Sequence, residues 1–394
     1  MSVPVSSRMT RVRPSPTSAT LALATRLRAE GRDIISLGAG EPDFDTPQFI
    51  RDAAVAAIAA GDTRYTPIDG TRALKEAIRC KFERDNGLSY ATRDIIVSTG
   101  AKQCLFNLCL GLLSPGDEAI IPAPYWVSYP DMVRLADAEA VFIETGIEQD
   151  FKITPAQLEA AITPKSRLFI VNSPSNPTGA SYSRAELAAL GEVLQSHPDI
   201  VIVADDIYEH IHWAAEPFIS FANACPALFE RTVTCNGVSK AYAMTGWRIG
   251  YAAGPAELIN AMKTIQSQST SNPCSVSQAA AQAALDGGQA PVADMCAAYR
   301  ERHDFLVAAL NELPGFRCRP AEGTFYAFPQ VAGAIESLGL ADDAALVERL
   351  LYEAEVACVP GSAFGAPGYM RLSYACSLET LAEAVERIKR AVSA

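Results

Sequence analysis

Seven short apolar runs, separated by stretches with helical periodicity, constrain the fold of this chain more than any other feature. They cover residues 95–98, 119–122, 140–143, 168–172, 200–204, 232–236 and 248–253. Most show no polar and apolar alternation, so each strand needs cover on both faces. Helical stretches at 102–113, 126–136 and 184–197 lie between them. Strand, helix, strand at this spacing predicts an α/β fold: a large domain with a mostly parallel seven-stranded sheet, clothed by helices on both faces. The last third alternates again. A strand is expected in 316–328, helices over 344–353 and 378–392, and strands over 356–360 and 369–374. It reads as a smaller α/β domain that takes in the N-terminal arm. The expected division is 1–47 for the arm and part of the small domain, 48–289 for the large domain and 290–394 for the small one.

Between the arm and the sheet, the sequence predicts a short helix at 22–27, a strand at 34–37 and helices at 48–60 and 71–86, the last stopped by Gly87. A long helix over 257–285, interrupted at Asn272-Pro273, and another over 292–313 complete the reading. The glycines of Gly38-Ala39-Gly40 do not form a dinucleotide fingerprint, because the third glycine position holds Asp43.

At 394 residues, the chain can bury a large core in two domains. Its net charge of −12 disfavours nucleic acid and anionic membrane surfaces as partners. Only about forty residues precede Gly40, too few for a DNA-binding winged helix of the kind fused to some sensor domains. The ten cysteines form no CxxC pair and no metal-type spacing. No apolar signal segment and no bilayer-length apolar run occurs. Together these features predict a cytoplasmic protein with reduced thiols.

Ligands of parallel sheets bind at the carboxyl ends of the strands, and the polar motifs fall there. Lys240 follows the run 232–236, and Arg248 lies eight positions on. A lysine in such a place can form a Schiff base with an aldehyde, and an arginine fork suits a phosphate. The pair points to pyridoxal 5'-phosphate (PLP). Asp205 closes an apolar strand where a pyridinium nitrogen would need a carboxylate. Its alternative role is a helix N-cap, which the neighbouring Asp206 could fill instead.

Tyr208 can hydrogen-bond the cofactor or pack. Asn176 sits between two prolines in a tight turn, poised over a ligand or part of a plain Asn-Pro turn. Gly100, Ala101 and Lys102 open a helix whose free amides suit a phosphate. Trp126 can stack on a flat ring or fill core. Arg371, flanked by apolar neighbours, can clamp a carboxylate or hold a structural salt bridge. His210 and His212 alternate as metal ligands do, but no third ligand has suitable spacing, so no metal is expected.

Asn172-Ser173-Pro174-Ser175-Asn176-Pro177-Thr178-Gly179, Asp205-Asp206-Ile207-Tyr208, Ser239-Lys240 through Trp247-Arg248-Ile249-Gly250, and Met370-Arg371-Leu372-Ser373-Tyr374 together resemble the class I aminotransferases of fold type I. The resemblance runs from Gly38 to the last strand and is strongest to the bacterial aspartate/prephenate subgroup. It implies that Lys240 holds PLP and then shuttles a proton. Asp205 would pair with the ring nitrogen, Asn176 and Tyr208 would bond the ring oxygen, and Trp126 would stack. Arg248, Ser239 and the Gly100–Lys102 turn would hold the phosphate.

Tyr65 would reach the phosphate of a partner subunit, which implies a homodimer. Gly40 and Arg371 would bind the substrate α-carboxylate beside Trp126 and Asn176. Lys102, Thr17 and Arg13 would hold a distal carboxylate, which favours aspartate as amino donor and 2-oxoglutarate as acceptor in a ping-pong reaction. Prephenate or aromatic substrates, or C–S bond cleavage on the same fold, are the alternatives.

Overall fold

The computed structural model describes residues 3–393. Strand β1 (Ile35–Ser36) lies outside the main sheet. The main sheet contains β2 (Ile95–Ser98), β3 (Glu118–Ala123), β4 (Glu139–Glu144), β5 (Ser166–Asn172), β6 (Val201–Asp205), β7 (Thr232–Gly237) and β8 (Gly250–Ala253). Its order is β2-β8-β7-β6-β5-β3-β4, with β8 antiparallel to both neighbours and the other adjacent pairs parallel. Successive side chains point to opposite faces, so one strand feeds two cores. Ile95 and Val97 pack under helices Gln48–Ala59, Arg72–Lys81 and Ser275–Asp286. Ile96 packs on the other face under Ala101–Leu112 and Ala256–Ser267. That two-sided burial is why the runs read as continuously apolar.

Beyond the main sheet, β9 (Tyr326–Ala327), β10 (Val356–Ala357), β11 (Val359–Pro360) and β12 (Met370–Ser373) are short. β12 is central in an antiparallel sheet of order β11-β12-β9. β1 pairs in parallel with β10, Ile35 opposite Val356, so the N-terminal region joins the C-terminal core as expected. A separate apolar cluster there includes Leu306, Phe325, Leu372 and Ile388. Among the described residues, no helix is long and apolar enough to cross a membrane.

The remaining differences from the sequence reading have local causes. The helix expected at 126–136 is Tyr129–Leu135, because Pro130 lacks an amide hydrogen and belongs in a first turn. The helix expected at 71–86 is Arg72–Lys81, capped by the Thr71 hydroxyl, followed by a π turn over Phe82–Asn86 that ends at Gly87 with φ 63°. The helix expected at 22–27 extends over Pro16–Ala29. The stretch 257–285 divides around Pro273, into Ala256–Ser267 and Ser275–Asp286.

Residues 316–328 contribute only β9 as a strand; Arg317 and Gly323 make single bridges to Gln330 and His212, with Pro320, which lacks an amide hydrogen, between them. Side chains satisfy part of this backbone. Asn311 bonds both the N–H and the C=O of Cys318, and His303 Nε2 accepts from Ala321 N–H at 2.8 Å. The last strand of the main sheet begins at Gly250, because Arg248 turns into the left-handed region at φ 56°. No helix begins after β6, so Asp206 is not an N-cap; it is buried, and its Oδ2 has no partner.

Candidate active site

The carboxyl ends of the parallel strands surround a cavity of about 440 Å³. Lys240, Asp205, Tyr208, Asn176, Trp126 and Arg371 line it, as do Ser239, Arg248, Ala101, Lys102, Gly40 and Thr17. Twelve of the residues picked out in the sequence therefore share one space. Three do not line it. Gly100 lies just outside and holds a position described below. Tyr65 is 92% exposed, and Arg13 is exposed on the N-terminal arm, so this single chain brings neither to the cavity.

Lys240 follows the last residue of β7 by three positions. Its Nζ donates to the carbonyl of Gly40 at 2.5 Å and lies 5.9 and 5.7 Å from the rings of Tyr208 and Phe325. Burial, with the Arg371 guanidinium acting the same way, pushes this amine down to about 8. A lysine with that pKa exposes a neutral, nucleophilic amine near neutrality far more often than an ordinary one.

Asp205 ends β6. Its Oδ2 accepts from the Tyr129 hydroxyl at 2.6 Å, and Oδ1 lies 3.4 Å from the amide of Ile207. Burial pushes its carboxyl up to about 6, against the pull of the Tyr129 bond. A cation brought beside it would favour ionisation. Asn172, at the end of β5, ties the neighbouring turn in place. Its Nδ2 donates to the Asp205 carbonyl and its Oδ1 accepts from the Asn176 amide, both at 2.8 Å.

Arg371 on β12 is 2% exposed, and its guanidinium lies 4.3 Å from the ring centre of Tyr326 and 4.9 Å from that of Phe364. It donates to Asn176 Oδ1 at 2.9 Å and to the Gly38 carbonyl at 2.8 Å. Its Nε has no partner, and among the described residues no carboxylate pairs with it. The structural salt bridge that the sequence left open is therefore not its role. A buried, unpaired cation is costly, and here it lines a cavity with a donor to spare.

The phosphate-type end is built by Gly100 and Arg248. Gly100 has φ +85° and precedes the helix Ala101–Leu112. A Cβ there would lie 2.2 Å from Arg248 Nη2, so glycine is what lets the guanidinium approach the helix start. Arg248 Nη1 donates to the Thr245 carbonyl at 2.9 Å. Lys102 stands in the first turn with Nζ 5.0 Å from the Trp126 ring. Burial, and then Arg248, hold its amine below the usual lysine range.

Sequence reasoning missed Tyr129, Tyr326, Asn172 and Leu21, all of which line the cavity. Tyr326 hydrogen-bonds Tyr208, oxygen to oxygen, at 3.0 Å. Tyr129 carried a signal, three positions beyond Trp126 near the helix start; Tyr326 carried none. The His210 ring faces Asp85 and Glu209, whereas the His212 ring packs edge-on to Phe218, so the two rings serve different neighbours.

A cavity at the carboxyl ends of a seven-stranded sheet, holding a part-buried lysine amine, a buried carboxylate and an unpaired buried arginine, defines an α/β enzyme of the fold type I class. The chain belongs to the aminotransferase class I and II family, whose pattern matches residues 32–388. It is 56% identical to the aspartate/prephenate aminotransferase of Nitrosomonas europaea, over 99% of this chain and 100% of the relative. It is 50% identical to the aspartate aminotransferase of Bacillus subtilis, over 98% of each. Among solved structures, the aspartate aminotransferase of Rhizobium meliloti superposes with a TM-score of 0.95 at 47% identity, covering 100% of this chain and 99% of the other. The Thermus thermophilus enzyme with maleate gives 0.93 at 44%, covering 99% and 100%. None of these names favours the C–S lyase alternative.

Proposed function

We propose that the protein moves an amino group from L-aspartate to a 2-oxo acid, with 2-oxoglutarate as acceptor, using PLP. The observation that carries this is the buried Arg371 guanidinium, with no carboxylate paired to it among the described residues, in the same cavity as Lys240 and Asp205. The donor set fits PLP. An amine suits the aldehyde, a buried carboxylate the ring nitrogen and an indole the ring face, while Gly100 leaves room for Arg248 beside a helix start that suits phosphate. When bound, PLP supplies the aldehyde and a ring that withdraws electrons from the substrate Cα.

The chain's own residues do the rest. Arg371 grips the α-carboxylate as a fork and orients Cα–H toward Lys240. The Lys240 amine, pushed down to about 8, would take that proton and give it back further along the same side of the substrate. With PLP bound, Asp205 would keep the ring nitrogen charged, and Tyr208 and Asn176 would bond the ring oxygen. Ser239, with the turn at Gly100, Ala101 and Lys102, joins Arg248 on the phosphate, and Gly40 lends backbone to the α-carboxylate. Lys102, with Thr17 and Arg13, attracts the distal carboxylate of aspartate.

The working unit in this reading is a cytoplasmic homodimer, with Tyr65 reaching the partner's phosphate site. Its extreme exposure in one chain supports that role, and ten free cysteines support a reducing compartment. The domain division at 47/48 and 289/290 belongs to the same reading, and the β1–β10 pairing supports it. The test is a titration of the PLP-loaded protein followed by visible absorbance. Aspartate should remove the band of bound PLP and 2-oxoglutarate should restore it. A band that ignores aspartate refutes the substrate.

A further inference from the structure

Behind the cavity, a buried ion pair joins the helix Arg72–Lys81 to the segment that carries Asp205 and Tyr208. Lys81, the last residue of its helix, has no exposed surface, and its ammonium pairs with the buried carboxylate of Glu209. Neither residue lines the cavity. Burying both charges is costly before their attraction repays it, so hydrophobic residues would serve better if filling space were the only need.

The hydrogen bonds around the pair supply another purpose. Glu209 Oε1 also accepts from Asn236 Nδ2 at 2.9 Å, and Oε2 accepts from Asn86 Nδ2 at 2.8 Å. Lys81 Nζ donates to Asn86 Oδ1 at 2.7 Å. His210 stands 3.4 Å from Glu209 through Nδ1 and 3.2 Å from Asp85 through Nε2. Glu209 follows Tyr208 directly, and its amide donates to the Asp206 carbonyl at 2.9 Å. Asn236 is the next-to-last residue of β7, four before Lys240. One carboxylate is thus bonded to both arms of the site. The first bears Asp205 and Tyr208; the second bears Ser239 and Lys240.

We propose that Glu209, neutralised by Lys81, is a positioning residue for transamination: through Asn236 it fixes the Lys240 segment against the segment of Asp205 and Tyr208. The inference rests on the aminotransferase reading. Asn236→Ala cuts the side-chain tie to β7 and leaves the Lys81–Glu209–Asn86 bonds and the backbone bond from Asp206 N–H to the Cys235 carbonyl in place. Loaded with PLP, this variant should lose about tenfold in kcat for aspartate while KM moves less than about threefold. The pH midpoint of the bound PLP absorbance change should shift by about half a unit or more, because the charges around the amine move. Glu209→Asp keeps the charge beside Lys81 but withdraws the carboxylate by one methylene, and should show the same split.

Unaltered kcat and midpoint in folded Asn236→Ala overturn the role. If that variant does not fold, the same unaltered values in Glu209→Asp overturn it. A loss of activity matched by the loss of folded protein, with the midpoint fixed, also overturns it. The wild type is measured alongside. If its bound PLP ignores aspartate, the substrate reading alone fails and the pH midpoints of the variants, which need no substrate, still decide the positioning role; if it responds, kcat and midpoint decide it together.

Discussion

Replacing Arg371 separates function from stability with unusual clarity, because its cation is buried without a carboxylate. An α-carboxylate gripped by two guanidinium N–H groups gains two charge-assisted hydrogen bonds, about 1.5–3 kcal/mol each. The pair is then worth about 3–6 kcal/mol, or about 100- to 10,000-fold in kcat/KM. Arg371→Leu should lose toward the upper end. Arg371→Lys keeps a charge but not the fork and should lose about 100-fold. Stability should move far less.

Leucine leaves Asn176 Oδ1 and the Gly38 carbonyl without their donor, at about 1–3 kcal/mol each. It also removes a lone buried cation, whose desolvation costs several kcal/mol. These terms oppose, so the unfolding free energy of the PLP-free protein should change by no more than about 2 kcal/mol. Urea denaturation of the two variants, with steady-state kinetics on aspartate, reads both quantities. An Arg371→Lys enzyme within about tenfold of wild type in kcat/KM would refute the clamp.

Three further outcomes are expected. Lys240→Ala should abolish transamination. In PLP-free wild type, the unfolded lysine binds a proton between pH 8 and the ordinary lysine range and the folded one does not, so Lys240 contributes a rise in stability with pH across that window, opposed by buried thiols such as Cys109 and Cys318, which burial pushes up to about 12. Between pH 8 and pH 10 the change in unfolding free energy should be more positive in wild type than in Lys240→Ala, whose thiols are the same; identical changes would contradict the depressed amine. Lys102→Leu should cut kcat/KM for aspartate by about tenfold or more while leaving phenylalanine nearly unchanged, since only the dicarboxylate uses that charge; equal losses on both would remove Lys102 from distal recognition. Gly100→Ala meets Arg248 and adopts a positive φ that costs about 1–2 kcal/mol. It should therefore weaken PLP binding, seen as a raised Kd in fluorescence titration, and an unchanged Kd would place the phosphate elsewhere.

Much of the fold was legible because burial on two faces leaves a one-dimensional trace. The runs that became β3, β5 and β6 are apolar at nearly every position, and two-sided cover requires this whatever the neighbours are. Residues at strand ends were legible for a related reason. Lys240, Asp205 and Asn176 are polar where apolar runs stop, and a parallel sheet gathers such ends on one side. The antiparallel direction of β8 left no trace, since Gly250–Ala253 is apolar in either direction. Short β9 and β10 left little, because two residues hold no periodicity.

The sequence alone determined the covered sheet, the lysine and carboxylate at its strand ends and the glycine before the helix at Ala101. Local chain geometry and the cost of burying charge fix these without reference to distant residues. Only tertiary structure decided who meets whom. Gly40 lies 200 positions from Lys240, and Gly38 lies 333 from Arg371. Tyr326 reaches Tyr208 across 118 positions, and Glu209 reaches Asn236 across 27. Such contacts form when separate cores pack together. Their energies depend on distances in space, which spacing along the chain does not encode.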